Sequence, residues 1–260
     1  MNQRELLDQF DECTSEIFDL ENSSWAMPMH HSDRFHEWWD AEKYDYSNSY
    51  FLAKYCHEYF SEWWNPDKYN WRDSWALAQF CSEYFGIWWN PEKFNWEDSP
   101  SLAKYCSKYF NKWWDSSKFN WDDGSWALAQ GCSEYFNVWW NPNKYNWRDS
   151  YALARYCHMY FNKWWNENKF NWQDASWALA QFCSEYFDIW WNPNLFNWKN
   201  GIANLIVCCA DHFDKWWNPK YFIEYVLELH SEDEEQSADK IIHIFETLIT
   251  TLQSAVQKNT

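Results

Sequence analysis

Residues 74–98 read SWALAQFCSEYFGIWWNPEKFNWED, and this stretch decides the fold because the chain copies it. Within it Leu77, Cys81, Tyr84, Phe85 and Trp88 fall at the i, i+3, i+4 spacing of one helix face. Ser74 stands where a helix N-cap is expected. Asn90-Pro91 ends that helix and offers a second start, with Asn as cap and Pro at the first position. The predicted unit is a helix of about 15 residues, followed by a short helix or 3₁₀ turn through Phe94-Asn95-Trp96. No segment carries a strand pattern.

Outward from this unit, tryptophan pairs recur at Trp38/Trp39, Trp63/Trp64, Trp88/Trp89, Trp113/Trp114, Trp139/Trp140, Trp164/Trp165, Trp190/Trp191 and Trp216/Trp217, 25 or 26 residues apart. Ser opens the unit at 24, 49, 74, 99, 125, 150 and 176. A fixed short period of this kind defines a solenoid. The expected fold is an all-α helical repeat solenoid of eight units. A second period of 51 residues lies beneath the first. Units beginning at Ser24, Ser74, Ser125 and Ser176 open Ser-Trp-Ala, whereas Ser49, Ser99 and Ser150 are followed by Tyr, Pro and Tyr. The alternation suggests two antiparallel layers, odd helices in one and even in the other. A single layer of parallel long helices is the alternative. The plan is similar in architecture to the leucine-rich-repeat variant, but the Leu pattern of that family is absent.

Residues 1–23 and 220–260 depart from the repeat and bound the repeat domain, 24–219. Leu6, Leu7, Phe10, Ile17 and Phe18 mark an amphipathic N-terminal capping helix, and Ile241 to Leu252 a C-terminal one. Between the last Trp pair and that final helix, Ser231–Gln236 reads as an acidic linker.

Composition excludes several classes. The 260 residues include 26 Trp, 17 Tyr and 19 Phe but only 4 Gly. Disordered chains are poor in aromatics, and collagen-like chains need far more Gly. No apolar run approaches the ~20 residues of a membrane span, and the acidic first residues carry no secretory signal pattern. Nine cysteines form no CxxC pair, and seven of them hold one repeat position. They read as buried thiols in a reducing, cytoplasmic setting. The recurrent Asn of the Lys-Tyr/Phe-Asn-Trp run is expected to satisfy backbone groups at the turn. The Lys two residues earlier is expected to lie on a ring.

Positions that vary between copies carry the functional expectations. Even units present a basic row that includes Lys104, Lys108, Lys112, Arg155 and Lys163. Odd units present an aliphatic row, Ile87, Val138 and Ile189, either as packing between layers or as an exposed stripe. These eight residues are the candidate binding positions. No GxSxG, P-loop, GxGxxG or HExxH motif occurs, so no enzyme, catalytic residue or cofactor is expected. His30, His31 and His36 cluster in the irregular first unit and are the weak metal candidates. A net charge of −18 opposes direct contact with nucleic-acid phosphates. The acids concentrate at the ends: residues 1–48 hold 12 acids against 3 bases, 49–219 hold 19 against 15, and 220–260 hold 8 against 3. The expected function is a protein-binding module, such as an immunity protein or inhibitor that neutralises a basic partner. An aromatic-lined receptor for a small ligand or glycan, and an acidic nucleic-acid mimic, are the alternatives. Association of two copies stays open.

Overall fold

The computed structural model describes residues 24–231, with side chains to residue 226. The expected capping helices at 1–22 and 235–257, and most of the linker, lie outside the described residues. The chain divides into two compact halves, Met1–Asn120 and Trp121–Thr260, four repeats in each. Among the described residues every regular element is an α- or 3₁₀-helix and no strand occurs. The chain is an all-α helical repeat.

The third repeat shows how the sequence builds a unit. Ser74–Phe80 is a two-turn α-helix, Ser82–Tyr84 a 3₁₀ turn and Phe85–Trp88 one further turn of α-helix. The expected long helix is therefore broken at Cys81, which leaves helical geometry at φ −118°, ψ 26°. The break has a partner. The Cys81 carbonyl is released from the i→i+4 ladder and accepts the Tyr84 N–H at 3.0 Å and the indole N–H of Trp88 at 2.8 Å. A tryptophan seven residues on thus occupies an acceptor that a continuous helix would have used itself. After Trp88 the chain turns extended at Trp89 (ψ 119°). The side chain of Asn90 then accepts from the N–H groups of Glu92 and Lys93, which closes a turn.

The serine does different work from a cap. Ser74 lies inside the helix, fully buried, and makes no capping bond. Its hydroxyl donates to the Trp71 carbonyl and accepts the N–H of Asn95, one repeat on, at 2.9 Å. Asn95 is the cap: its side chain accepts the Glu97 N–H, while its amide donates to Arg72 O on the preceding rung. Asn70 and Asn120 repeat both cross-rung contacts in the first half, and Asn146, Asn171 and Asn197 repeat them in the second.

Helix length follows a single inserted residue. In 25-residue repeats the 3₁₀ turn and the helix are separate, as at Trp71–Asp73 and Ser74–Phe80. Where one residue is added before the serine position (Gly124, Ala175, Gly201), the two fuse into eleven-residue helices: Trp121–Gly131, Trp172–Phe182 and Trp198–Cys208. The asparagine cap shifts accordingly, from the N–H two residues on (Asn70 with Arg72) to three residues on (Asn171 with Asp174).

The two-layer expectation is overturned. Consecutive helices are neighbours: 49–55 packs on 74–80 and 74–80 on 99–105 in the first half, and 121–131, 150–156, 172–182 and 198–208 pack in sequence in the second. The serine-to-asparagine bond spans 21 residues in odd and even repeats alike. Within each half, odd and even helices are therefore parallel rungs of one layer, in equivalent environments.

Inside each half the core is a set of columns. Leu77, Cys81, Phe85, Trp88 and Phe94 are buried, as are their counterparts in the second and the fourth to seventh repeats. Phe35, Phe60 and Phe85 in the first half and Phe136 and Phe161 in the second carry a Tyr ring from the next rung, as in Phe60 with Tyr84 (4.5 Å, 5°) and Phe136 with Tyr160 (4.6 Å, 6°), and Phe187 carries His212 in the same way. Burying one indole removes 150–250 Å² of surface, a gross gain of roughly 5 kcal/mol before ordering entropy is charged. After the last Trp pair, Pro219–Ser231 forms a further thirteen-residue helix, an element additional to the linker and capping helix expected within 220–260.

Candidate interaction surface

The chemistry-bearing residues of the repeat are consumed by the fold. Cys81 and Cys106 donate their thiols to Ala53 O and Ala78 O, 28 residues back, and Cys157, Cys183 and Cys209 do the same in the second half. The eight described cysteines are free thiols. Burial pushes the thiols of Cys56 and Cys106 up to about 12, far from the depressed value that a nucleophilic thiolate needs. The first tryptophan of each pair is buried. Its N–H is bonded to the Cys-position carbonyl, as at Trp63, Trp139, Trp164 and Trp190. The third tryptophan donates to a carbonyl five residues back, as Trp71 does to Pro66 O.

The turn lysines behave as expected. Lys93 donates to Pro66 O and to Asp67 on the preceding rung, and Lys118 and Lys169 lie over Trp96 and Trp147 at 5.5 and 5.7 Å. These surface pairs are each worth no more than about 1 kcal/mol.

His30, His31 and His36 are not gathered into a site. His30 and His36 are exposed, and the ring of His36 faces Glu62 on the next rung at 3.2 Å. His31 holds the position of the repeat cysteine, where its backbone carbonyl accepts the Trp38 indole N–H. Among the described residues no group of three or more His, Cys, Asp and Glu side chains could hold a metal ion.

What the fold leaves outward are the varying positions, and here the candidate rows merge. Because odd and even helices share one layer, the residue before the first tryptophan forms a single row in each half. It runs Glu37, Glu62, Ile87, Lys112 in the first half and Val138, Lys163, Ile189, Lys215 in the second. Ile87, Val138 and Ile189 are 64%, 61% and 57% exposed, so they are surface residues and not packing between layers. The residue before the tyrosine forms a second row: Asp33, Glu58, Glu83, Lys108, then Glu134, Met159, Glu185, Asp211. Lys108 and Lys112 both sit against the Tyr109 ring, at 4.9 and 5.7 Å, which places the two rows side by side on one face. Lys104 lies over Tyr105, Lys163 over Tyr160, and Arg155 bridges Tyr156 and Phe182 of the next rung. Lys163 also reaches Asn137 one rung back at 2.5 Å.

Met159 and Val207, 63% and 60% exposed, join the outward apolar residues of the second half. Met159 stands in the basic row of the even units but is itself apolar, so it is not among the candidate binding residues. Asp98 was equally illegible. Burial pushes its carboxyl up to about 6, although it accepts the Trp75 N–H at 3.0 Å. Compared with known proteins, the chain matches no family model, no curated protein and no solved structure.

Proposed function

We propose that the chain is a non-catalytic helical-repeat protein-binding module whose excess acid, concentrated outside the repeats, draws in a basic protein partner and neutralises it. One observation carries the reading. The thiols, indole N–H groups and turn amides recur in bonds internal to the stack, while the outward rows change from rung to rung. A constant frame with a varied face is what a recognition surface requires. Burial of the first tryptophan in each pair weighs against the aromatic-lined receptor, since those rings have no free face for a sugar or small ligand. Lysines on the outward rows weigh against an acidic nucleic-acid mimic. No helix is long and apolar enough to cross a membrane among the described residues.

The test is capture from native lysate by the tagged chain, set beside a variant with four N-terminal acids amidated (Glu5→Gln, Asp8→Asn, Asp11→Asn, Glu12→Gln). A stoichiometric basic protein held by the first and released by the second supports the proposal. Recovery of no stoichiometric protein, or equal retention by both chains, overturns it.

A further inference from the structure

The outward face of the first half is self-complementary in charge. Its second repeat presents Glu58 and Glu62, its fourth presents Lys108 and Lys112, and between them the third presents Ile87. All occupy the same two rows, in rungs that the backbone makes equivalent. At the usual 8–10 Å between packed helices, the acidic and basic pairs stand roughly 16–20 Å apart with Ile87 midway. Among the described residues Glu58, Lys108 and Lys112 have no ion-pair partner within the chain. Glu62 reaches only His36. Lys112 lacks the cross-rung partner that Lys163 and Lys215 find in Asn137 and Asp188, because Gly86 stands at that position with open space around it.

We infer that a second copy of this chain docks on this face, antiparallel, about a two-fold axis that crosses the third repeat. Such an axis maps each row onto itself and reverses the order of the rungs, so one surface serves both partners. Glu58 and Glu62 of each copy meet Lys108 and Lys112 of the other. Ile87 meets Ile87 at the centre, where the missing Gly86 side chain lets the surfaces close. Glu83 shares the central rung and meets its own copy, the one like-charge contact among these three rungs. Lys54 and Lys104, over Tyr55 and Tyr105, belong to a separate row. The inference goes beyond the basic-partner reading, because it uses the repeats and not the acidic ends.

Sedimentation of the purified full chain tests it without any lysate. The chain is dimeric at about 100 µM in low salt and dissociates as salt screens the pairs. The variant Lys108→Glu/Lys112→Glu and the variant Glu58→Lys/Glu62→Lys are each monomeric, with unchanged far-UV spectra, and they form a heterodimer when mixed. Should a reversed chain fail to fold, Lys108→Gln/Lys112→Gln replaces it, with an expected loss of about tenfold in affinity. Glu83→Gln tightens the dimer. A monomeric wild type, reversed chains that dimerise as the wild type does, or reversed chains that stay apart on mixing would each overturn the inference and leave the basic-partner reading standing.

Discussion

Replacing Ser74 by alanine takes away one hydroxyl and strands two backbone groups, the Asn95 N–H and the Trp71 carbonyl. A part-buried polar group left without its partner costs about 1–3 kcal/mol. Urea unfolding of Ser74→Ala is expected to show a loss in that range. A loss within ~0.5 kcal/mol, the scale of an ordinary surface change, would mean that the serine does not link rungs. A serine before an amphipathic run signals an N-cap and a cross-rung acceptor equally well; only the asparagine 21 residues on distinguishes them. Asp98 supplies a prediction in pH. Its folded-state value of about 6 lies above the unfolded carboxylate value near ~3.9. Its contribution is therefore fully present below about pH 4 and is lost as pH rises through 6. Asp98→Asn keeps an oxygen for the Trp75 N–H and removes the charge. Between pH 4 and 7 it is expected to gain about 1 kcal/mol on the wild type, after discounting for solvent screening. Parallel wild-type and variant curves over that range would refute the assignment.

At the scale of the element, the interruption at the cysteine position is held open by a tryptophan. Trp88→Phe keeps a ring but leaves the Cys81 carbonyl short of a donor and a void beside it, with an expected cost of about 2–4 kcal/mol in chemical denaturation. A cost near zero would show that the break belongs to the backbone alone. The periodicity of Leu77, Cys81, Tyr84, Phe85 and Trp88 could not reveal this break, since a helix, a 3₁₀ turn and a further helical turn keep nearly the same face inward. The inserted residue before the serine position gives a finer test. A methyl group on Gly201 would collide with the Phe196 ring, which is itself buried, whereas Ala175 fills the equivalent place one rung earlier. Gly201→Ala is expected to lose about 1–3 kcal/mol by overpacking, measured against a nearly neutral Ala175→Gly; the reverse order would refute the packing account.

For the whole molecule, the period was legible and its spatial meaning was not. Trp pairs every 25 or 26 residues announce a stack. The alternation of Ser-Trp-Ala with Ser-Tyr and Ser-Pro openings suggested two layers, yet the rungs are equivalent and the alternation lives on the surface. In the row of Lys54, Gln79 and Lys104 it separates like charges that a strict repeat would have placed on neighbouring rungs. Of the eight candidate binding residues all are exposed, but their grouping into an even basic row and an odd aliphatic row dissolved once one layer replaced two. Equivalence of rungs can be tested by length. Inserting a second copy of residues 49–98 after Asp98 preserves every serine-to-asparagine register, and it should raise the melting temperature by several degrees. A lower melting temperature would show that the repeats are not interchangeable.

The cross-rung hydrogen bonds also bear on how quickly such a chain reaches its fold. Each joins residues fewer than thirty positions apart, from the 21 of the serine link to the 29 of Cys183 with Ala154. Closing loops of that size costs little chain entropy, and the cost does not grow as rungs are added. Relative contact order therefore falls with length. Any neighbouring pair of rungs can serve as the nucleus, so a Trp-laden chain of this size is spared the slow search that distant pairings impose on sheet proteins.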